Sequence, residues 1–192
     1  MSACLPLTDL RGSVKGLRVF VVSSTEIRLL VLDVDGVLTD GTIFIDDNGR
    51  QIRGFHIQDG LGVTLWRSLG RQVAILTSKR SPAVEARARM LGIDLIEQGA
   101  EDKLPGLQRL VSAAGVSLEE TAYAGDDLLD AAVMRRVGYP IAVANATDEI
   151  KELAAYVTRR TGGQGAVREA IEHLLRRDGQ WWAALKAIGA DR

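Results

Sequence analysis

A chain of 192 residues, 46% hydrophobic and 26% charged, is long enough to bury one sizeable core and has an ordinary globular balance. A formal net charge of −1 excludes the electrostatic footprint of a nucleic-acid binder or of a protein held on an anionic membrane. The single cysteine, Cys4, excludes an internal disulfide and a multi-cysteine zinc site, and no apolar run approaches the ~20 residues of a membrane span. A cytoplasmic protein without nucleic-acid or membrane partners is expected.

Residues 1–26 carry no motif and read as an extension; its apolar piece, Val19 to Val22, is shorter than the about 7–15 residues of a signal-peptide core. One domain is expected over 27–192, because no linker, composition break or repeat interrupts it. It opens on Leu29 to Leu32, an unbroken apolar run that reads as a buried strand. That strand runs straight into Asp33 and Asp35, although an isolated carboxylate taken out of water is costly unless paired or metal-bound.

Two alternating stretches, Thr42 to Ile45 and Gln51 to Ile57, then flank Asp46-Asp47-Asn48-Gly49 and predict a hairpin. Asp59 is positioned to cap a helix running to about Leu69, with Leu61, Leu65 and Leu69 inward and Gly70 as its stop. Gln72 to Thr77 reads as a strand, and Ser81-Pro82 opens a helix ending at Gly92, with Val84, Ala88 and Leu91 inward. A short strand over Ile93 to Ile96 precedes a helix from Asp102 to Ala114. Thr121 to Gly125 is a strand leading into a helix from Asp127 to Val137. Strands over Tyr139 to Val143 and Ala155 to Val157 precede a last helix after Gly165, with Val167, Ile171, Leu174 and Leu175 on its buried stripe. Trp181 and Trp182 read as an apolar clasp for the terminal segment. The alternation predicts an α/β fold: a doubly wound, Rossmann-like parallel sheet with a small β-hairpin insertion.

In such sheets ligands bind beyond the carboxyl ends of the strands. Asp33 and Asp35 follow the first strand, Thr77 and Ser78 the next, Lys103 the third, and Asp126, Asp127 and Asp130 the fourth. Each group alone has a plain structural reading: an Asx turn, a helix N-cap with acidic first-turn residues, a solvated lysine. Together, at successive strand ends, they require several coincidences. Converging carboxylates call for a cation, and an all-oxygen donor set favours Mg²⁺. Asp33 could attack phosphorus and form an aspartyl-phosphate, while Asp35 protonates the leaving oxygen and later activates water. Mg²⁺, Lys103 and the Thr77 hydroxyl would balance charge on the transferring group. His56 reads as a polar hairpin residue rather than a catalyst.

The set "DVDGVLTDG", the threonine of "ILTS", Lys103 and "GDDLLD" resembles, in order, the four motifs of the haloacid dehalogenase-like phosphatases. Only the hairpin and one helix separate the first two motifs, which implies a member with no large cap domain. From Ile27 onward, "QDGLG", "LGI", "YAGDDLLDAAVMRRVG" and "GGQGAVREAIEHLL" are similar to the 3-deoxy-D-manno-octulosonate 8-phosphate phosphatase family. Those capless, tetrameric enzymes release inorganic phosphate on the route to the inner sugar of lipopolysaccharide. The resemblance implies a Mg²⁺ site at Asp33, the main-chain carbonyl of Asp35, and Asp126. It implies substrate contacts at His56, Ile57, Gln58, Asp59, Gly60, Ser78, Lys79, Arg87 and Lys103. It also implies a homotetramer. Its hairpins would meet centrally, and an arm from Gly162 to Glu169, within a C-terminal segment of about 158–192, would reach a neighbour's site. The chain departs from the family at Gln58, Thr64 and Gln164, where arginine is usual, and at Ser78-Lys79, where Gly-Arg is usual. Each change removes a bidentate donor for carboxylate or phosphate. The departures leave a related substrate such as a nonulosonate 9-phosphate open, and beside it a catalytically silent, oligomerising subunit.

Overall fold

The structure, a computed structural model, describes residues 25–191, so most of the expected extension, with Cys4, lies outside the described residues. The described chain opens against the body: Arg71 pairs with Glu26 at 2.7 Å, and Arg177 donates to the Thr25 carbonyl.

Strand β1 (Leu29–Leu32) is wholly buried, which accounts for its lack of alternation: helices cover both faces of a parallel sheet. The small hairpin strands β2 (Phe44–Ile45) and β3 (Gln51–Ile52) follow, then helix α1 (Ile57–Arg67) and β4 (Gln72–Thr77). Next come α2 (Pro82–Leu91), β5 (Leu95–Gln98), α3 (Lys103–Ala114) and β6 (Thr121–Gly125). The chain ends through α4 (Ala131–Met134), β7 (Tyr139–Ala142), α5 (Asp148–Leu153), β8 (Tyr156–Val157), α6 (Ala166–Arg177) and α7 (Trp181–Ala187).

The main sheet has the order β5-β4-β1-β6-β7-β8, all parallel, with the β2-β3 hairpin standing apart as an antiparallel pair. From β1 the chain builds outward through β4 and β5, then returns to the other side of β1 at β6. Right-handed crossovers put α1 and α2 on one face and α3, α4 and α5 on the other. The last long helix, α6, packs against α1. The strand order therefore reverses between β1 and β6, and the crevice beyond their carboxyl ends is where such a sheet accepts ligands. Among the described residues no helix is long and apolar enough to cross a membrane.

Several local expectations are corrected. The hairpin strands are two residues each, because Asp46 gathers the connection: its carboxylate accepts from the amides of Asn48 and Arg50, while Gly49 takes a φ of 75°. Ile57 belongs to α1, not to the hairpin. Helix α1 starts two residues before Asp59, and Leu61 is 45% exposed instead of inward. Its buried face is Asp59, Gly60, Gly62, Val63, Leu65 and Trp66. Strand β5 begins at Leu95, two residues late, and the helix expected from Asp127 is broken into a tight turn, Leu128–Asp130, and the short α4. The α6 stripe is as expected: Val167, Ile171, Leu174 and Leu175 are fully buried. Trp181 packs against the core between Arg168 and Arg176, whereas Trp182 is exposed, so only one tryptophan forms the clasp.

Candidate active site

The loop after β1 is held from within its own motif. Thr39 is fully buried; its hydroxyl donates to the Val34 carbonyl at 3.2 Å and accepts from the amides of Gly36 and Gly41. The later residues of "DVDGVLTDG" are thus the scaffold that turns Asp33 and Asp35 toward the crevice. Gly36 has a φ of 91°, and a Cβ there would overlap the Asp126 carboxylate. Glycine lets the loops after β1 and β6 close on each other.

Lys103, the first residue of α3, is 3% exposed and reaches across the strand ends. Its Nζ lies 2.9 Å from Asp33 Oδ1 and 2.6 Å from Asp130 Oδ1. The Tyr123 hydroxyl also donates to Asp130 Oδ1, at 2.5 Å, and Asp130 Oδ2 accepts from the amides of Asp126 and Asp127. Asp130 therefore spends both oxygens on the protein itself, pinning Lys103 and the β6 loop. Carboxylate oxygens of Asp33, Asp126 and Asp130 lie within 4.8 Å of one another. With Lys103 as the one ammonium among three carboxylates, two negative charges remain uncompensated.

The electrostatics follow from that crowding. Burial, reinforced by Asp130, pushes the Asp33 carboxyl up to about 6 against the opposing pull of Lys103. Burial and the neighbouring Asp33, Asp130 and Asp127 push Asp126 up to about 7. For Lys103, burial favours loss of the proton, but Asp33 and Asp130 outweigh it and hold the ammonium above its ordinary value. Tyr123 is raised well above the usual phenol range by burial and by Asp130, and stays a donor. Asp126 Oδ1 is buried with no hydrogen-bond partner among the described residues. An orphaned oxygen, a second carboxylate at Asp33 and residual negative charge fit a hard divalent cation bound through oxygen. Of the three carboxylates, Asp33 and Asp126 could hold it, beside the expected main-chain carbonyl of Asp35, since Asp130 is already satisfied.

The other expected residues divide. Thr77 is buried at the end of β4, with its hydroxyl accepting from the Lys79 amide; Ser78 and the exposed Lys79 follow it at the rim. Asp35 points to the same crevice, where Arg53 grips it at 2.8 Å. Arg87 approaches the segment His56–Gly60 as expected, donating to the His56 carbonyl at 3.1 Å and lying against Gly60. His56 Nδ1, Asp59 Oδ2 and Arg87 Nε are buried with no hydrogen-bond partner among the described residues, so this rim holds unmatched polar atoms. Gln58 accepts from Arg160 Nη1 at 2.7 Å, so a guanidinium stands beside a position where the family usually has its own. Asp59 is not the cap expected for α1. It is 1% exposed, accepts from the Arg168 amide at 2.8 Å, and braces the start of α6; burial raises its carboxyl above the ordinary value despite that bond. Ile57, at the start of α1, is 85% exposed.

The start of the glycine-rich arm lies against its own chain's nucleophile loop. The Gly163 amide donates to the Val37 carbonyl, and the Gly162 amide to Asn145 Oδ1 at 2.7 Å. Asn145 in turn donates to the Gly36 carbonyl at 3.0 Å. Four site residues were not legible in the sequence: Arg53, Tyr123, Asn145 and the inward role of Asp130. Only the last two carried a signal, a polar residue just past a strand end and a carboxylate one helical turn after Asp126.

Residues 86–171 match a family model described as haloacid dehalogenase-like hydrolase. The chain is 41% identical over 160 residues to the 3-deoxy-D-manno-octulosonate 8-phosphate phosphatase KdsC of Escherichia coli K12, covering 83% of this chain and 85% of that one. The crystal structure of the phosphatase of the same name from Yersinia pestis superposes with a TM-score of 0.79 at 41% identity, over 81% of this chain and 84% of that one. The Moraxella catarrhalis phosphatase, solved with magnesium ion, phosphate ion and KDO, superposes with a TM-score of 0.81 at 39% identity, over 84% and 93%. Likeness of this extent in both sequence and fold shows that the chain belongs to the haloacid dehalogenase-like hydrolases, as a phosphoric monoester hydrolase of the 3-deoxy-D-manno-octulosonate 8-phosphate phosphatase type.

Proposed function

We propose that the protein, acting in the cytoplasm with Mg²⁺, hydrolyses the phosphate monoester of a keto-deoxy sugar acid. The first candidate is 3-deoxy-D-manno-octulosonate 8-phosphate, giving the free sugar acid and inorganic phosphate. The observation that carries this reading is the Asp33–Lys103 pair at 2.9 Å beside the partnerless buried oxygen of Asp126. Held by Asp33 and Asp126, Mg²⁺ supplies charge neutralisation where a carboxylate must approach an anionic phosphoryl group.

The chain's own residues then divide the work. An Asp33 oxygen attacks phosphorus, the bond from phosphorus to the sugar oxygen breaks, and Asp35 gives its proton to that oxygen. Lys103, kept charged by Asp33 and Asp130, and the Thr77 hydroxyl balance charge on the transferring oxygens. Asp35 next takes a proton from water, whose oxygen attacks the aspartyl-phosphate. Inorganic phosphate leaves and the Asp33 carboxylate is regenerated. The rim of His56, Gln58, Gly60, Ser78, Lys79 and Arg87 faces the sugar, with Arg160 beside Gln58 as a donor for its carboxylate. A nonulosonate 9-phosphate is the second candidate, because that Gln58–Arg160 pair is not the usual family arrangement.

A homotetramer fits the exposed apolar residues of the hairpin and the start of α1: Phe44, Ile45, Ile52 and Ile57 are 58–85% exposed, and Phe44 lies opposite Ile52 across the hairpin. The test is phosphate release from a panel of phosphorylated keto-sugar acids and common metabolites, with and without Mg²⁺. We expect turnover of the octulosonate, lost on chelation and abolished in Asp33→Asn, because an amide cannot form the acyl-phosphate. Undiminished release by Asp33→Asn would remove the nucleophile assignment, and preference for another panel member would replace the substrate.

A further inference from the structure

Among the described residues, one buried cation stands at the crevice outside the metal cluster. Arg53 follows β3 at the foot of the hairpin, and its side chain is 1% exposed. Four of its five N–H groups are committed: Nε to Asp35 Oδ1 at 2.8 Å, Nη2 to Asp35 Oδ2 at 3.3 Å, and Nη1 to both Gln51 Oε1 at 2.9 Å and Ser81 Oγ at 3.2 Å. The Ser81 amide is itself tied to Gln98 Oε1 at 2.8 Å. Three elements thus converge on one carboxylate: the hairpin, the start of α2 and the loop after β1.

Burying a guanidinium costs several kcal/mol and is tolerated only where its donors are matched. Here they are matched by a carboxylate that the fold does not need in order to pack. Asp35 is 25% exposed at its side chain, and the backbone of its loop is extended at that residue, with φ −75° and ψ 116°. Among the described residues, no other hydrogen bond restrains the Asp35 side chain. A two-pronged contact fixes the plane of a carboxylate as well as its position, which a point charge cannot do.

We infer that Arg53 is a positioning residue, which holds the Asp35 carboxyl at the reach proton transfer requires and links its aim to the hairpin. The inference rests on the reading of Asp35 as the acid and base of phosphate-ester cleavage. Proton transfer needs a heavy-atom separation of about 2.6–3.2 Å, so a rotamer change at Asp35 removes it. Arg53 itself touches neither phosphate nor nucleophile in the role assigned.

The consequence is a dependence on the leaving group. When Asp33 attacks an alkyl phosphate, the departing alkoxide must take the Asp35 proton. A p-nitrophenolate leaves without one. The ratio kcat/KM reports events up to that first departure and is blind to the later water step. We therefore expect Arg53→Ala to lower kcat/KM for 3-deoxy-D-manno-octulosonate 8-phosphate by about a hundredfold or more, the usual weight of a general acid. For p-nitrophenyl phosphate the loss should stay below about tenfold. Arg53→Lys, which keeps the charge and loses the fork, should fall between and preserve the same asymmetry. Mg²⁺ affinity should be unchanged in both variants.

Equal losses on the two substrates would overturn the inference, since damage to folding or to the cation site acts on both alike; so would an absence of loss. If Arg53→Ala fails to fold, Arg53→Lys carries the comparison. A wild-type protein that cleaves p-nitrophenyl phosphate but no sugar-acid phosphate removes the substrate named above without touching this inference. The alkyl arm is then the alkyl monoester that wild type cleaves fastest. Inactivity on every monoester would overturn both.

Discussion

Asp130 shows how much of this site is built by a residue that has no spare oxygen for a ligand. It receives Lys103, Tyr123 and two backbone amides, so Lys103 is aimed at Asp33 by a network closed within the protein. Removing one member of such a buried charged network costs about 3 kcal/mol or more. Asp130→Ala should accordingly lower the melting temperature by about 6–12 °C in thermal denaturation, and turnover with it. Asp33 and Asp126 behave in the opposite sense. Their carboxyls are pushed up to about 6 and about 7 without a cation, so between pH 8 and pH 6 the cation-free protein gains protons that a bound cation must displace. The rise in melting temperature on adding Mg²⁺ should then be larger at pH 8 than at pH 6. A rise that is the same at both would argue against these two carboxylates as its ligands.

At the scale of elements, periodicity served where the buried face is made of large apolar side chains, and misled where glycines let two helices approach closely. The stripe of α6 read correctly because Val167, Ile171, Leu174 and Leu175 recur at helical spacing on one face and all are buried. The α1 face was misread because Gly60 and Gly62, which have no hydrophobic signature, are among the residues it buries, while Leu61 is left outside. The same close approach governs the glycine arm. A Cβ on Gly162 would overlap the Gly36 carbonyl and crowd that of Thr39. Gly162→Ala should therefore spread the nucleophile loop and cut kcat at least about tenfold, for a 1 Å misplacement of reacting groups can cost a hundredfold. Steady-state kinetics at saturating Mg²⁺ checks this. An unchanged kcat would mean that the arm packs there without positioning anything.

For the whole molecule, the hairpin offers apolar surface for assembly, with Phe44, Ile45 and Ile52 all more than half exposed. In a double variant, Phe44→Asp with Ile52→Asp, light scattering should show smaller species than the tetramer proposed for wild type. A wild-type monomer in the same measurement would refute the tetramer. The sequence by itself determined the α/β class, the order of strands and helices, and the four strand-end groups Asp33, Thr77, Lys103 and Asp126. Those follow from hydrophobic period and from where parallel strands end, both local properties of the chain. Only the tertiary structure decided that Arg53 grips Asp35, that Asp130 serves Lys103 rather than a ligand, and that the start of the arm lies against its own chain's loop. Such pairs join residues up to about a hundred positions apart, and their identity depends on which side chains the crossovers bring within 3 Å, which no local pattern encodes.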